Sequence, residues 1–250
     1  DSFTYTLTDK DGDVSTATAT VTVNTNGTPT ITITDNNGAV GGQVTVDEAA
    51  LASGSNPSST AEAATGTMTV TAPNGLASVD FGSTNVTVAQ LNALGTTPVT
   101  ITMPDGTLTL TAYNAGTGDI TYTYAITGAQ TAAGTSVTDS LSITVHDSAS
   151  LTAATTFTAT ILDDVPTANN DALTTTVGKA VSGSLGTNDT VGADAGGTWA
   201  VGSSTTANGG TITITNAATG AYTYTPKAGY LGSDSFTYTL TDKDGDVSTA

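Results

Sequence analysis

Apolar and polar residues alternate with a period of two along much of the chain. Phe3, Tyr5 and Leu7 are separated by threonines, and residues 137–145 and 221–225 follow a similar rule. Such alternation predicts half-buried antiparallel strands with one apolar face and one threonine face. The β-branched threonines favour an extended backbone and remain soluble on the outer face. The pattern therefore predicts an all-β protein.

Turn signals separate the predicted strands. They lie at residues 11–12, 73–75, 104–106 and 208–209. Many short strands with frequent Gly, Asn and Pro turns are typical of antiparallel β-sandwiches. One short helix is predicted at residues 88–94, with Thr87 as its N-cap and Gly95 at its end. The fold class predicted is tandem β-sandwiches with at most one short helix.

A duplication organises the chain. Residues 1–17 read DSFTYTLTDKDGDVSTA, and residues 234–250 repeat this string without a mismatch. Chance does not produce an identity of that length, so we expect one period of a tandem array plus an overlap.

Two boundaries divide this period, one at residues 24–29 and one at residues 161–166. Three segments are predicted: 1–27 as the last strands of a preceding small unit, 28–165 as a complete larger unit, and 166–250 as a small unit that lacks its last strand. Residues 18–24 correspond to that strand, so we expect self-association by strand addition between molecules.

The net charge of the chain restricts the binding partners that we expect. The formal net charge is −18, from 4 basic and 22 acidic residues, and only Glu48 and Glu62 are glutamates. Such a charge repels nucleic acids and anionic membranes and attracts cations. There is no cysteine and no apolar stretch of the ~18 residues that a membrane-spanning helix needs. We expect neither nucleic-acid binding nor membrane insertion.

Several phrases resemble known adhesin repeats. They are GAYTYTP at 220–226, GYLG at 229–232, DSFTYTLTDKDG at 234–245, VDEAAL at 46–51 and ILDDVP at 161–166. The first three resemble the cadherin-like or VCBS-type repeat. The last two resemble the longer Ig-like repeat of giant type I-secreted, RTX-type bacterial biofilm adhesins.

This resemblance implies Ig-like or cadherin-like sandwiches strung into a fibre at the bacterial cell surface. It implies cell adhesion and biofilm formation, type I secretion, folding in external Ca²⁺, and neighbouring repeats of the same chain as partners. An enzyme is not expected. The open alternatives are a module that binds surface or matrix polysaccharide or ice, and a subunit of an extracellular filament or sheath.

Two acidic triads are candidate calcium ligands. The spacing i, i+2, i+4 around a glycine can supply three converging carboxylates to Ca²⁺, which takes six to eight oxygens. The triads are Asp9, Asp11 and Asp13, and Asp242, Asp244 and Asp246. An Asp-Gly hairpin turn with solvated acids is the alternative interpretation.

A second set of candidates surrounds the boundary at residues 161–166. Carboxylate and amide oxygens gathered at a domain junction resemble the acidic, calcium-binding linkers of cadherins. The candidates there are Asp163, Asp164, Asn170 and Asp171. Glu48 is a further candidate, because it follows the start of its domain at a position where repeats that resemble this one often have a ligand. Asp139 has the parity of Val137 and Leu141, so it is predicted to face inward, where a lone carboxylate is costly unless an ion or hydrogen bonds meet it. Solvated linker charge is the alternative.

The residues that could serve catalysis are better explained as surface or core residues. His146 is the only histidine and lies on the outer, threonine-bearing parity, so it is predicted to be a surface residue. Trp199 is predicted to be a core residue. Apart from Asp139, no carboxylate has the apolar sequence context that raises a pKa for acid catalysis.

Overall fold

The structure is a computed structural model that describes residues 1–22, 26–37, 42–131, 134 and 136–250. Antiparallel strands dominate it, and the predicted all-β class is confirmed. Val23 and Asn24 of the strand predicted at 18–24, and the start of the boundary predicted at 24–29, lie outside the described residues.

An antiparallel hairpin begins the chain. It consists of β1 Ser2–Thr8 and β2 Val14–Thr20, paired with Tyr5 opposite Ala17. The hairpin buries neither face, and the apolar side chain of Leu7 is 69% exposed. It therefore adds nothing to a hydrophobic core of this chain.

A larger unit follows the hairpin. Its strands are β3 Thr30–Ile33, β4 Val44–Asp47, β5 Ala63–Thr71, β6 Leu76–Phe81, β7 Thr84–Thr87, β8 Val99–Thr102, β9 Gly106–Asn114, β10 Asp119–Ile126, β11 Ser136–Asp147 and β12 Thr152–Leu162. They form two sheets, in the orders β3-β5-β10-β9-β8 and β4-β12-β11-β6-β7. Side chains from both sheets share one core, in which the ring of Tyr122 meets that of Phe157 edge-on at 5.3 Å. The larger unit is thus a β-sandwich.

One strand pair of the larger unit departs from the predicted antiparallel arrangement. β4 runs parallel to β12, with Val44 opposite Ala159 and Val46 opposite Ile161. Side chains alternate with a period of two in a strand of either direction, so the sequence pattern does not reveal the direction.

The predicted helix is present as α1 Val88–Ala93. The Thr87 hydroxyl accepts a hydrogen bond from the Gln90 amide, and the Gln90 side chain accepts one from the Thr87 amide, which is a complete capping box. Leu91 and Leu94 are buried in the core of the larger unit. The predicted cap and apolar face are therefore correct.

A second, smaller core forms nearer the C-terminus. The strands around it are β13 Val181–Ser184, β14 Thr198–Val201, β15 Thr211–Asn216, β16 Ala221–Thr225, β17 Tyr238–Thr241 and β18 Val247–Thr249. Two sheets, β13-β16-β15 and β14-β17-β18, enclose side chains such as Leu185, Tyr222 and Leu240. Trp199 is buried in this core, as predicted, and donates its indole N–H to Asp189. The two cores lie on either side of residues 163–166.

Candidate metal centre at the domain junction

Four segments that are far apart in the sequence meet between the two cores. They are the turn that follows β4, the residues that follow β12, the loop before β14 and the β17–β18 hairpin. Their carboxylates, here called the junction cluster, belong to Glu48, Asp163, Asp194, Asp242, Asp244 and Asp246. The cluster consists of overlapping groups of three, and within each group carboxylate oxygens lie within 4.8 Å of one another.

Glu48 is directed inward by a capped turn. The Asp47 carboxylate accepts a hydrogen bond from the Ala49 amide at 2.9 Å and starts a single 3-10 turn, Glu48–Ala50. One carboxylate oxygen of Glu48 accepts a hydrogen bond from the Gln130 amide at 2.7 Å. The other oxygen, Oε2, is buried without a hydrogen-bond partner.

The β17–β18 hairpin presents three more carboxylates. Asp242 Oδ1 accepts hydrogen bonds from the amides of Gly245 at 3.0 Å and Asp246 at 2.8 Å. The turn needs glycine at position 245, where φ is +112°. Asp246 accepts a hydrogen bond from the Gly134 amide, which belongs to the larger unit. The backbone therefore holds one oxygen of Asp242 and leaves the carboxylates of Asp242 and Asp244 directed into the cluster.

Asp164 has a different role from its neighbour Asp163. Its two oxygens accept hydrogen bonds from the Ser55 amide at 2.7 Å and the Ser55 hydroxyl at 2.5 Å. The Ser53 hydroxyl nearby donates to the backbone oxygen of Ala193 at 3.3 Å. These bonds fasten the turn after β4 to the linker and to the loop that carries Asp194.

Burial leaves the junction cluster short of hydrogen-bond partners. The buried oxygens that have none are Glu48 Oε2, Asp163 Oδ2, Asp194 Oδ2, Asp242 Oδ2, Asp244 Oδ1 and Asp244 Oδ2. Glu48 is 1% exposed, Asp242 5% and Asp194 8%. An unpaired buried carboxylate is costly, and a well-folded protein rarely leaves one without a partner.

The pKa values respond to this environment. Burial, and then the charges of Asp194 and Asp244, raise the pKa of Glu48 to about 7, against one hydrogen bond from Gln130 that lowers it. Burial, and then a hydrogen bond with Asp246, raise the pKa of Asp163 to about 7. Burial and Asp244 raise the pKa of Asp242 to about 6. The cluster therefore resists carrying its full negative charge unaided.

The donor set fits a hard divalent cation. Every candidate donor is an oxygen, and there is no cysteine or histidine in the cluster, which disfavours zinc and other softer metals. Within the described part of the chain, the one ion pair is His146 with Asp80, so no lysine neutralises the cluster. Unpartnered carboxylate oxygens from two units, with no protein cation among them, match the ligands that Ca²⁺ takes.

The structure brings together some of the predicted site residues, in a different grouping. Glu48 and Asp163 meet the triad of the β17–β18 hairpin, which the sequence analysis treated as a separate site. Asp164 lies beside the cluster and is satisfied by Ser55. The sequence analysis missed Asp194. Its only signal is one carboxylate in a Gly-Ala-Asp-Ala-Gly-Gly loop, which has no periodicity to reveal its partner.

Two predicted residues lie away from the cluster. The Asn170 backbone oxygen accepts a hydrogen bond from the Asn188 side chain, and Asp171 lies 3.3 Å from the Tyr238 hydroxyl. Burial raises the pKa of Asp171, with a smaller contribution from the charge of Asp189. Asn170 and Asp171 are close to the boundary in sequence, but they lie away from the cluster because the chain leaves the linker toward the small core.

The remaining candidates are in the first hairpin and in the larger core. Asp9, Asp11 and Asp13 form a fully exposed group of their own, in which a hydrogen bond with Asp11 is the main cause of a lowered pKa at Asp9. Asp139 is buried as its parity predicted, and its Oδ2 accepts a hydrogen bond from the Tyr124 hydroxyl at 2.8 Å. The Asp105 amide also donates to Oδ2, at 3.2 Å, whereas Oδ1 is buried without a hydrogen-bond partner.

His146 is half-exposed at the outer face of β11, where Nε2 lies 2.7 Å from Asp80.

One protein family matches part of the chain. Residues 163–250 match the family described as bacterial Ig domain. This range contains the small core, the linker acids and the β17–β18 hairpin. No curated protein matches the chain. The described residues contain no helix with the length and apolar character that crossing a bilayer requires.

Distant likenesses to solved structures were also found. A Bacteroides ovatus mixed-linkage glucan utilization locus protein, SGBP-B, in complex with a mixed-linkage heptasaccharide, is 16% identical with a TM-score of 0.27, over 90% of this chain and 46% of that one. Mouse clustered PcdhgC3 EC1-3 is 14% identical with a TM-score of 0.33, over 99% of this chain and 73% of that one. The Protocadherin GammaB4 extracellular domain is 14% identical with a TM-score of 0.33, over 99% and 36%. This chain thus spans under half the length of the first of these, and likenesses of this size carry no argument about function.

Proposed function

We propose that this chain is a structural segment of an extracellular bacterial adhesin fibre, and that calcium bound by the junction cluster joins its two units into one stiff rod. The observation that carries the proposal is the set of buried, unpartnered carboxylate oxygens that both units contribute to one cluster. The match of residues 163–250 to a bacterial Ig domain supports a repeat of this kind.

Electrostatics makes the junction unstable on its own. Two full charges separated by 4.8 Å repel by about 3–4 kcal/mol at an effective dielectric constant of about 20. Three such pairs amount to about 10 kcal/mol, which is comparable to the whole stability of a typical small domain, so we expect the carboxyls to hold protons, separate or bind a cation. At neutral pH and without calcium, we expect the two units to move apart, which is the default for a small polar interface.

Bound calcium would favour the docked arrangement of the two units over the separated one. Extracellular calcium modules bind with dissociation constants of about 10⁻⁴–10⁻³ M, so a millimolar external concentration loads them. Since the ligands come from both units, binding free energy stabilises the docked arrangement and not the separated one. Glu48 and Asp163 would supply ligands from the larger unit and the linker, while Asp194, Asp242 and Asp244 would supply them from the smaller unit.

The bound ion would supply charge neutralisation and rigidity. We therefore assign the cluster a structural role. A fibre built from such pairs would be flexible where calcium is scarce and stiff outside the cell. A role in adhesion and biofilm formation is part of this proposal and is supported by the resemblance of the repeats to adhesin repeats.

Titration calorimetry with calcium chloride, followed by small-angle X-ray scattering, tests the proposal. We expect saturable calcium binding at millimolar concentrations or below, and a narrower distribution of interatomic distances in calcium than in chelator. Magnesium serves as the ionic-strength control, because it dehydrates reluctantly and demands strict octahedral geometry. A chain that scatters identically in calcium and in chelator, with no calcium-specific heat, would refute the proposed function.

A further inference from the structure

The three groups of the junction cluster differ in which unit supplies their carboxylates. Ligand oxygens around one Ca²⁺ lie about 2.3–2.6 Å from the ion, so two of them are at most about 5 Å apart. A group whose oxygens lie within 4.8 Å of one another therefore has the size of one ion's ligand set. Among the described residues, the six carboxylates form three such groups and not one group of six. One ion therefore does not account for the whole cluster.

One group lies entirely within the smaller unit, and we call it the local group. Its members are Asp194, Asp242 and Asp244. β14 pairs with β17, with Thr198 opposite Thr241, so the loop before β14 and the hairpin after β17 leave the sheet side by side. The two segments are in direct contact, since a Cβ atom at Gly196 would lie 3.6 Å from Lys243 Cβ. The local group therefore needs no part of the larger unit.

The other two groups span both units, and we call them the spanning groups. Asp163, which directly follows β12 of the larger unit, belongs to both of them. It lies with Glu48 and Asp194 in the first and with Asp244 and Asp246 in the second. These oxygens come together only where the two units are docked, because each spanning group has members on both sides of the junction.

The local group has buried oxygens that the smaller unit does not satisfy. Asp242 is 5% exposed and Asp194 is 8% exposed, and each has one buried oxygen without a hydrogen-bond partner. Both oxygens of Asp244 are in the same state. The other oxygen of Asp242 accepts the amides of Gly245 and Asp246, which fixes this carboxylate in place. Buried and fixed carboxylates without partners are an arrangement that a cation stabilises.

We propose that Asp194, Asp242 and Asp244 bind a first calcium ion within the smaller unit, and that this binding prepares the smaller unit to dock on the larger one through calcium at the spanning groups. The inference rests on the proposed function and adds an order of events to it. Asp244 connects the two steps, because it belongs to the local group and to a spanning group and has an unpartnered oxygen for each.

Charge explains why the local group is filled first. Docking brings the carboxylates of Glu48 and Asp163 within 4.8 Å of that of Asp194, and like charges at this distance repel. A divalent ion in the local group offsets two of its three negative charges, so the larger unit then approaches a far less negative surface. When one binding event favours another in this way, the affinity of the second typically rises by about 5- to 150-fold.

Counting the bound ions tests the local group. The chain with Asp11→Asn, which disables the exposed triad of the first hairpin, should bind at least two calcium ions in titration calorimetry and native mass spectrometry. Adding Asp163→Asn removes a carboxylate from both spanning groups and none from the local group. One calcium ion should remain bound, but small-angle X-ray scattering should show no narrowing of the interatomic distances in calcium. Loss of all calcium binding in this variant would overturn the inference.

A second variant tests the order of events. Asp242→Asn weakens the local group and alters neither spanning group, and its amide oxygen still accepts the hydrogen bonds of the turn. The calcium concentration at which the interatomic distances narrow should rise by roughly tenfold or more. Asp9→Asn, the same change in the exposed copy of the hairpin, should leave this concentration unaltered. An unaltered concentration in Asp242→Asn would mean that the groups fill independently, and the proposed order would be wrong.

The ion count also separates this inference from the proposed function. A chain that binds no calcium would refute both. A chain that binds a single ion and becomes stiffer would leave the proposed function standing and would overturn the local group. Two or more ions, of which one remains bound in Asp163→Asn, would support the function and the order together.

Discussion

Replacing Asp244 with asparagine should stabilise the chain without calcium and should remove most of the stability that calcium adds. Both carboxylate oxygens of Asp244 are buried and unpartnered, and the residue belongs to two of the overlapping groups of the junction cluster. Asparagine keeps the shape of the side chain, removes one negative charge and offers a single weaker oxygen ligand. Measurements in chelator and in calcium separate the effect of the lost charge from the effect of the weaker ligand.

In chelator the variant should be more stable than the parent chain. Each fully charged neighbour at 4.8 Å contributes about 3–4 kcal/mol of repulsion, but partial protonation of Glu48, Asp163 and Asp242 already relieves part of it. Removing one charge should therefore raise the free energy of unfolding by about 1–3 kcal/mol.

In calcium the variant should gain much less stability than the parent chain gains. A site with a dissociation constant of about 10⁻⁴ M contributes about 2.7 kcal/mol at roughly 10 mM calcium, because the ligand is then at one hundred times that constant. A variant that binds a hundredfold more weakly keeps only about 0.4 kcal/mol of this contribution. The loss of about 2.3 kcal/mol offsets the gain that the variant shows in chelator, so adding calcium should raise the Tm of the parent far more than the Tm of the variant.

Differential scanning calorimetry of the parent and the variant, in calcium and in chelator, measures both changes. Asp11→Asn is a matched control, since Asp11 has the same neighbours in sequence and lies in the exposed copy of the hairpin. It should alter Tm in neither buffer. A variant at Asp244 whose Tm rises on adding calcium by as much as the Tm of the parent would refute the idea that this carboxylate is a cation ligand.

Three other predictions follow from burial. Burial raises the pKa of Glu48 from 4.5 to about 7, so between these pH values the folded chain keeps a proton that the unfolded chain releases. In chelator, the free energy of unfolding should therefore fall by on the order of 3 kcal/mol as the pH rises from about 4.5 to 7. Denaturant titrations should show this loss in chelator and not in calcium. Tyr124→Phe removes the hydroxyl that donates to the buried Asp139 carboxylate and should cost about 1–3 kcal/mol in urea unfolding, and an unchanged midpoint would contradict the buried hydrogen bond. Leu240→Ala should cost about 2–5 kcal/mol, whereas Leu7→Ala, in an identical stretch of sequence, should change stability by less than about 0.5 kcal/mol; equal effects would show that the two hairpin copies share one environment.

The sequence predicted those features that depend on neighbours along the chain. Alternation revealed strands such as β10 and β11, the Thr87 cap located α1, and the parity of Asp139 placed it correctly in the core. Each of these depends on the local period of the backbone. Such a period can be recognised without knowing which distant segment pairs with the strand.

The junction depended on information that local patterns lack. Asp163 and Asp244 are 81 residues apart in number, and only the docking of the small core on the linker brings their oxygens together. Asp194 lies in a loop without periodicity, so nothing local distinguished it from a solvated acid. The direction of β4 was unpredictable for a related reason, since side chains alternate alike in parallel and antiparallel strands.

The parallel pairing of β4 with β12 has a mechanical consequence. Tension applied through the two ends of the larger unit reaches β3 first. Once β3 has separated from β5, the tension draws the start of β4 in one direction and the end of β12 in the other. The hydrogen bonds between them then lie across the load and must rupture together, not one after another as in an unzipping hairpin. A segment built this way resists unfolding when its two ends are pulled apart.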